Sequence, residues 1–179
     1  MSSPDHTIAP DCLVIVALGS NLASSHGSSQ TTVLQAFAKL QLLVKLPIVR
    51  SSLWRTTPSE CKAGTPDFVN AVAALHMPNG ADPHSLLDAL LIIENEFGRV
   101  RNSICGNSRT LDLDLICFGD QIIKTERLTL PHPRAYTRGF VLKPLVEIQP
   151  NLRLPGQSLT VCELEMRLAE QGLISLLET

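Results

Sequence analysis

The chain has 179 residues, of which 44% are hydrophobic, and its 15 basic and 17 acidic side chains give a formal charge of −2. This length and composition are typical of one globular domain with a substantial core. The charge balance gives no reason to expect non-specific binding to nucleic acid or to an anionic membrane.

The five cysteines are scattered and form no C-x-x-C pair, which argues against a zinc site or a disulfide framework and favours reduced thiols. The longest apolar run near the start, residues 12–18, is too short to span a bilayer. We therefore expect a cytoplasmic protein without a signal peptide or membrane anchor. Residues 1–10 are expected to be a disordered leader, and 11–179 a single domain.

The first two elements follow from the apolar pattern. Residues 12–18 are a continuous apolar run that stops at Gly19, which is typical of a central strand buried on both faces. A helical period then extends over residues 33–44, and Ser28 or Ser29 can cap its N terminus.

Two further strands flank a long loop. Residues 48–55 are expected to form one strand, and residues 68–77 alternate between two faces as a second. Residues 57–66 lie between them, carry Pro, Gly, Ser and Lys, and show no periodicity. Loops of this length between strands are often functional lids.

A second helix is delimited by Asp82 as N-cap and Gly98 as C-terminal cap, with Glu94 at the edge of its apolar stripe. With the strand that follows, the order is strand, helix, strand, strand, helix, strand. This order predicts an α+β fold with a ferredoxin-like βαββαβ core, in which helices pack on an antiparallel sheet. Residues 138–147 are expected to form a helix, and residues 158–168 to form an amphipathic segment that packs on the outside.

The strand after Arg109 carries the main chemical signal. Its alternation places Asp112 and Asp114 on one face and leucines on the other. Because close carboxylates repel each other, such a pair is most readily kept around a cation, and hard oxygen ligands suit Mg²⁺ with water and substrate phosphate. The alternative is an edge strand with a solvated acidic face.

Basic residues on both sides of this strand favour the cation. Arginine presents a rigid fork of donors that suits phosphate oxygens, so a cluster in a chain of negative net charge indicates a polyphosphate site. Taken singly, each arginine is more simply interpreted as a solvated surface charge, and only the grouping around the aspartates favours the phosphate site. The cluster comprises Arg99, Arg101, Arg109, Arg127, Arg134, Arg138 and His132.

Two phenylalanines adjoin polar stretches and could stack a flat ring between them, namely Phe68 and Phe140. Asn70 shares the strand face of Phe68, and its amide offers a donor and an acceptor to a heterocycle with a lactam edge. Core packing remains the alternative for either phenylalanine.

Six motifs follow one another in a specific order. They are Ala17-Leu-Gly-Ser-Asn-Leu22, Arg55-Thr56, Pro66-Asp-Phe-Val-Asn70, Glu94 with Gly98-Arg-Val-Arg101, Arg109-Thr-Leu-Asp-Leu-Asp-Leu115, and Arg127-Leu-Thr-Leu-Pro-His132 through Arg138-Gly-Phe140. With these motifs the chain resembles the 6-hydroxymethyl-7,8-dihydropterin pyrophosphokinase family over about residues 13–154.

The resemblance implies transfer of the terminal pyrophosphoryl group of ATP to the pterin hydroxymethyl oxygen, with release of AMP, in folate biosynthesis. It implies that Asp112 and Asp114 hold two Mg²⁺ ions and that Arg99 and Arg109 act with them in catalysis. The implied pterin-binding residues are Thr56, Ser59, Phe68, Asn70 and Phe140. The implied ATP-binding residues are Glu94, Arg99, Arg101, Arg109, Leu115, Arg127, Thr129, His132 and Arg138. The expected partners are these two small molecules, bound by a monomer.

The chain departs from the family pattern at Thr57, at Leu91 and in residues 102–108, where family members often carry basic residues and a bulky aromatic. We expect these changes to alter affinity or loop dynamics and to leave the chemistry intact. Two other classes stay open. An RNA-binding or regulatory module would show adjacent sheet aromatics and a basic surface, which the sequence lacks. A catalytically idle paralogue that binds pterin or nucleotide is distinguished only by measuring turnover.

Overall fold

The computed structural model describes residues 11–58, 64–99, 109–168 and 174–177, so the expected leader at 1–10 lies outside the described residues. In chain order the elements are β1 (Cys12–Ser20), α1 (Ser29–Gln41), β2 (Val49–Arg50), β3 (Trp54–Thr56), β4 (Phe68–Met77), α2 (Pro83–Glu96), β5 (Asp112–Phe118), β6 (Ile123–Lys124), β7 (Thr129–Leu130), a 3-10 turn (Ala135–Thr137), α3 (Gly139–Ile148), α4 (Val161–Met166) and β8 (Ile174–Leu176).

Within the described ranges, six strands form one antiparallel sheet in the order β5-β1-β4-β3-β8, with β2 also pairing with β4. β1 is central, as its continuous apolar run predicts, because β4 pairs along one side of it and β5 along the other. β6 and β7 make a separate two-stranded sheet. An antiparallel sheet with helices packed on it confirms the predicted α+β class.

One strand prediction is wrong in its extent, because residues 48–55 form two short strands instead of one. Between them the Ser51 N–H donates to the Val72 carbonyl at 2.9 Å, and the Ser51 hydroxyl accepts the Val72 N–H, also at 2.9 Å. A serine side chain thus takes the place of a backbone carbonyl in the ladder. Such local side-chain bonding competes with regular backbone pairing, and the strand is interrupted there.

Helices cover both faces of the sheet, so the molecule has three layers. One face packs against α1 and α2, for example through Val16 and Leu90. The opposite face packs against α3 and α4, for example through Ile15 and Leu142. The predicted C-terminal additions therefore supply the second covering layer, and the central strands are buried on both sides.

Helix α2 begins and ends at its predicted signals, whereas α1 begins at a predicted cap but ends at Gln41, before the end of its predicted period at residue 44. There the N–H groups of Leu42 and Leu43 bond to carbonyls three residues earlier, which closes the helix in a turn. Ser28 caps α1 and Asp82 caps α2, each by accepting hydrogen bonds from N–H groups of the first turn. Gly98 follows α2 with a φ of 75°, a left-handed conformation that glycine adopts without strain. The turn brings the Arg99 N–H back to the Glu94 carbonyl at 3.1 Å, which fixes Arg99 at the end of α2.

Two expectations about environment can be compared with this structure. None of the helices in the described ranges has the length and hydropathy needed to cross a bilayer. Cys12, Cys117 and Cys162, the described cysteines, are free thiols. Burial raises the pKa of Cys117 to about 12, so this thiol stays protonated at neutral pH.

The burial pattern of α1 generates a stability prediction. Leu40 is fully buried, whereas Leu42, just beyond the same helix, is 79% exposed. We expect Leu40→Ala to lower the free energy of unfolding by about 2–5 kcal/mol through lost burial and a residual cavity, and Leu42→Ala to change it by less than about 0.5 kcal/mol. Urea denaturation measures both values, and equal losses would contradict the packing of α1 on the sheet.

Candidate active site

The register of three strands assembles one row of residues across a sheet face. Gly19 in β1 lies opposite Asp112 of β5 on one side and opposite Asn70 of β4 on the other. Directly opposed residues of antiparallel strands project to the same face, so Asp112 and Asn70 flank a glycine that has no side chain. A Cβ on Gly19 would lie 3.1 Å from Asn70 Oδ1. Because Gly19 has no side chain, the space between Asp112, the acidic side of the row, and Asn70, the amide side, stays open. We call the backbone at Gly19 the floor of the site.

The predicted alternation of β5 is confirmed. Leu111, Leu113 and Leu115 are buried in the core under α1 and α2, while the side chains of Asp112 and Asp114 remain 20% and 33% exposed. The pairing of β1 with β5 shifts register between Ile15 and Val16, beyond the β1 residues that pair with Asp112 and Asp114. Both carboxylates therefore stay on the same face of the sheet.

Among the described residues, three arginines surround the two carboxylates. The guanidinium groups of Arg99 and Arg109 both form ion pairs with Asp112. Arg138 Nη1 lies 3.4 Å from Asp114 Oδ2. Burial, and secondly the charge of Asp112, raise the pKa of Asp114. The site therefore holds two carboxylates close together. Arg99 and Arg109 offset this charge in direct ion pairs, and Arg138 does so from a greater distance.

Glu94 connects helix α2 to the acidic strand. Its side chain is 1% exposed, accepts the Leu113 N–H at 2.8 Å through Oε1, and forms an ion pair with Arg99. The sequence predicts Glu94 at the edge of the apolar stripe of α2, and in the structure it is buried at the wall of a cavity. Its carboxylate therefore holds both the β5 backbone and the Arg99 guanidinium in place.

An open cavity of about 430 Å³ lies beside the acidic pair. Arg109 and Arg138 do not line it but contact its aspartates, and Leu91, one of the departures from the family pattern, lies in its wall. Arg127 also pairs with the exposed Asp88. The predicted nucleotide-binding residues that line the cavity are Glu94, Arg99, Leu115, Arg127, Thr129 and His132, together with Asp112 and Asp114.

His132 is held in a defined orientation at the cavity wall. Its backbone N–H donates to the Ile116 carbonyl at 2.8 Å, and its ring Nδ1 accepts the Arg134 N–H at 3.2 Å. Burial lowers the pKa of His132, although the nearby Asp114 carboxylate opposes this shift. The net direction favours a neutral imidazole at physiological pH.

The amide side of the row contains the residues predicted to bind a pterin. Asn70 Nδ2 donates to Thr56 Oγ1 at 2.8 Å, and both residues are buried. Phe68 lies opposite Thr56 in the β3–β4 ladder, so it shares their face. Phe140, in α3, has its ring 5.2 Å from the Arg138 guanidinium. The structure thus brings four predicted pterin residues to one face of the sheet and the helix above it.

Two predicted site residues cannot be placed. Ser59 and Arg101 lie outside the described residues, as do positions 102–108, where the sequence departs most from the family pattern. Two residues of the site carry no role in the sequence prediction, Gly19 and Asn21. Both belong to the first motif, and an asparagine directly after an apolar strand was the available signal.

The carboxylates of the site restrict which metal ion could bind there. Among the described residues, no group of three or more His, Cys, Asp or Glu side chains could hold a metal. The Asp112–Asp114 pair offers carboxylate oxygens alone, which is too few for a structural zinc or calcium cage. Mg²⁺ takes one or two carboxylates and completes its shell with water and substrate phosphate, so the pair fits this ion.

Comparison with known proteins gives a consistent result. The model of the 7,8-dihydro-6-hydroxymethylpterin-pyrophosphokinase family matches residues 15–150. A 2-amino-4-hydroxy-6-hydroxymethyldihydropteridine pyrophosphokinase of Haemophilus influenzae is 40% identical over 165 residues, covering 90% of this chain and 96% of that protein. The Pseudomonas aeruginosa protein of the same name is 45% identical over 142 residues, covering 79% and 83% of the two chains.

Solved structures share the fold at low sequence identity. A crystal structure of an HPPK-DHPS in complex with substrates superposes with a TM-score of 0.66 at 13% identity, covering 88% of this chain and 43% of that one. A Plasmodium falciparum HPPK-DHPS variant with pteroate gives 0.64 at 14% identity, covering 91% and 44%. This chain thus spans less than half the length of those proteins, and the likeness concerns the fold alone. Given the matching family model and the bacterial relatives, the chain belongs to the 7,8-dihydro-6-hydroxymethylpterin pyrophosphokinase family.

Proposed function

We propose that this protein transfers pyrophosphate from ATP to the hydroxymethyl group of 6-hydroxymethyl-7,8-dihydropterin, as a cytoplasmic, monomeric, Mg²⁺-dependent enzyme of folate biosynthesis. Family membership supports the reaction. The observation that carries the proposal is the row Asp112, Gly19 and Asn70, because it sets an acidic pair suited to Mg²⁺–phosphate beside a buried amide suited to a heterocycle. We also propose that residues 11–179 act as one domain.

The reaction joins two substrates that this row would hold side by side. The pterin hydroxymethyl oxygen attacks the β-phosphorus of ATP and forms the new P–O bond. The bond from that phosphorus to the oxygen bridging the α-phosphate breaks, AMP leaves, and the hydroxyl proton is lost. Such a transfer depends mainly on alignment and electrostatic stabilisation, so no strong side-chain base is required.

Asp112 and Asp114 are the residues that would hold Mg²⁺, with two ions expected. When bound, these ions would neutralise charge on the ATP phosphates and fix their orientation. The carboxylates are already close to guanidinium groups, so the surroundings compensate the negative pair before any substrate arrives.

The arginines are proposed to bind the triphosphate. Arg99 and Arg109 pair with Asp112, and each guanidinium has several N–H donors, so a phosphate oxygen can be bound from the same position. Arg138, Arg127 and, among residues outside the described ranges, Arg101 complete the proposed set. The other proposed nucleotide contacts at the cavity wall are Glu94, Leu115, Thr129 and His132.

The pterin is proposed to stack between two aromatic rings, those of Phe68 and Phe140. Asn70 and Thr56 would read its lactam edge, since their mutual hydrogen bond orients the amide and leaves Oδ1 directed toward the floor at Gly19. Ser59, outside the described residues, is proposed as a further contact. Holding the two substrates on either side of Gly19 in one rigid sheet would supply the near-attack alignment that this reaction needs.

We expect pterin-dependent release of AMP when the purified protein is mixed with Mg²⁺, ATP and the hydroxymethyl pterin. Asp112→Asn and Asp114→Asn should each lower kcat/KM by about 100-fold or more, because each removes charge from the proposed metal site. Asp120→Asn, on an exposed residue just after β5, is the matched control and should retain activity. Chromatographic product analysis gives the answer: ADP instead of AMP would refute the reaction, and binding without turnover would favour the idle paralogue.

The raised pKa of Asp114 leads to a second expectation, concerning stability. A carboxyl with a raised folded-state pKa favours folding most below its ordinary pKa of about 4, and this contribution is lost as the pH rises through the raised value. With divalent cations chelated, Asp114→Asn should therefore unfold at higher urea concentration than the natural protein at neutral pH. The difference should vanish near about pH 3.

Asp120→Asn serves as the control in the same denaturation series and should show no such pH-dependent gain. A lower stability of Asp114→Asn at neutral pH would mean that the arginine and histidine partners outweigh burial and the charge of Asp112. In that case the acidic pair would be stabilising by itself and would not require a cation.

A further inference from the structure

Asn21 is a buried polar residue at the end of β1 with no role in the proposed chemistry. It is 4% exposed and lies two residues beyond Gly19, in the first of the six motifs. A buried side-chain amide must bond its carbonyl and its amino group to avoid a desolvation cost. The partners of Asn21 therefore indicate what the residue does.

The side-chain carbonyl of Asn21 binds the backbone of Arg109. Asn21 Oδ1 accepts the Arg109 N–H at 2.7 Å, and the Arg109 carbonyl accepts the N–H groups of Asn21 and Leu22 at 3.1 and 3.2 Å. Three hydrogen bonds thus fix the backbone from which the Arg109 guanidinium extends to Asp112. The nucleotide side of the site is anchored here.

The side-chain amino group of Asn21 binds the segment that leads into β4, the strand that carries the proposed pterin residues Phe68 and Asn70. Asn21 Nδ2 donates to the Pro66 carbonyl at 3.3 Å, across 45 positions in sequence. Pro66 lies two residues before Phe68, where β4 begins and pairs with Thr56. One amide therefore binds a segment that leads to the pterin residues and a segment that carries a phosphate-site arginine.

We propose that Asn21 is a positioning residue that couples the nucleotide half of the site to the pterin half; this inference rests on the proposed function. Only an amide both accepts from Arg109 and donates to Pro66, since a carboxylate cannot donate and a serine is one atom shorter. Asn21 is not among the described residues that line the cavity, and its effect would pass through the backbone positions of Arg109 and Pro66.

Two substitutions separate the two contacts. Asn21→Asp keeps an oxygen for the Arg109 N–H and removes the donor to Pro66, whereas Asn21→Ala removes both bonds. Asn151→Asp makes the same chemical change at an exposed position and serves as the matched control. The measurements on the full chain are KM for ATP, KM for the pterin and kcat from AMP release, with amide hydrogen exchange at Arg109 as a readout independent of activity.

For Asn21→Asp we expect the pterin KM to rise about tenfold, the ATP KM to change less than about threefold, and the Arg109 amide to stay protected. For Asn21→Ala we expect both KM values to rise, kcat to fall and the Arg109 amide to exchange faster. Asn151→Asp should match the natural protein. If Asn21→Ala does not fold, Asn21→Asp alone still tests the pterin arm.

Other outcomes overturn the coupling. A new charge acting only electrostatically would change the ATP KM more than the pterin KM, because ATP is the polyanion. Equal changes in the two KM values of Asn21→Asp, or unchanged kinetic constants with lowered thermal stability alone in both variants, would reduce Asn21 to a structural residue. These outcomes require a natural protein that releases AMP, so they are distinct from failure of the proposed function, which would appear as no AMP from the natural protein.

Discussion

The register of β1 against its two neighbours is the constraint on which the site depends. Gly19 must face Asp112 and Asn70 at once, and a shift by one residue in either ladder would turn one of them to the opposite face. Burial of β1 on both faces makes such a shift costly, because it would expose apolar side chains in two cores. The same hydrophobic packing that stabilises the sheet therefore fixes the spacing between the acidic side and the amide side.

The charged side chains of the site are grouped around the acidic end of this row of residues. Burial, and secondly the charge of Asp112, raise the pKa of Asp114, and arginines from three different segments compensate the two carboxylates. Buried Glu94 restrains one of those arginines and the β5 backbone together. A site built this way is held in position before substrate binds, which is the property that transfer by alignment and electrostatics requires.

Alternation and caps, which are local patterns, made much of this predictable from the sequence. They revealed the acidic face of β5, the bounds of α2 and the class of fold. The break in strand 48–55 was not predictable, because it depends on a hydroxyl of Ser51 meeting an N–H of Val72, which is a contact distant in sequence. The contacts of Asn21 are likewise long-range, so its motif could be recognised without its role. The ordered motifs were sufficient to recognise the family. The row through Gly19 could not be predicted, because it depends on how β1 pairs with β4 and β5.

The most direct test of the account is a crystal structure of the protein with Mg²⁺, a non-hydrolysable ATP analogue and the hydroxymethyl pterin. We expect Asp112 and Asp114 to bind Mg²⁺ and the pterin to contact Asn70, with its hydroxymethyl oxygen facing the β-phosphate across the floor at Gly19. A pterin bound away from this sheet face, or an acidic pair that binds no metal in that complex, would contradict the claim that one row of residues joins the two halves of the site.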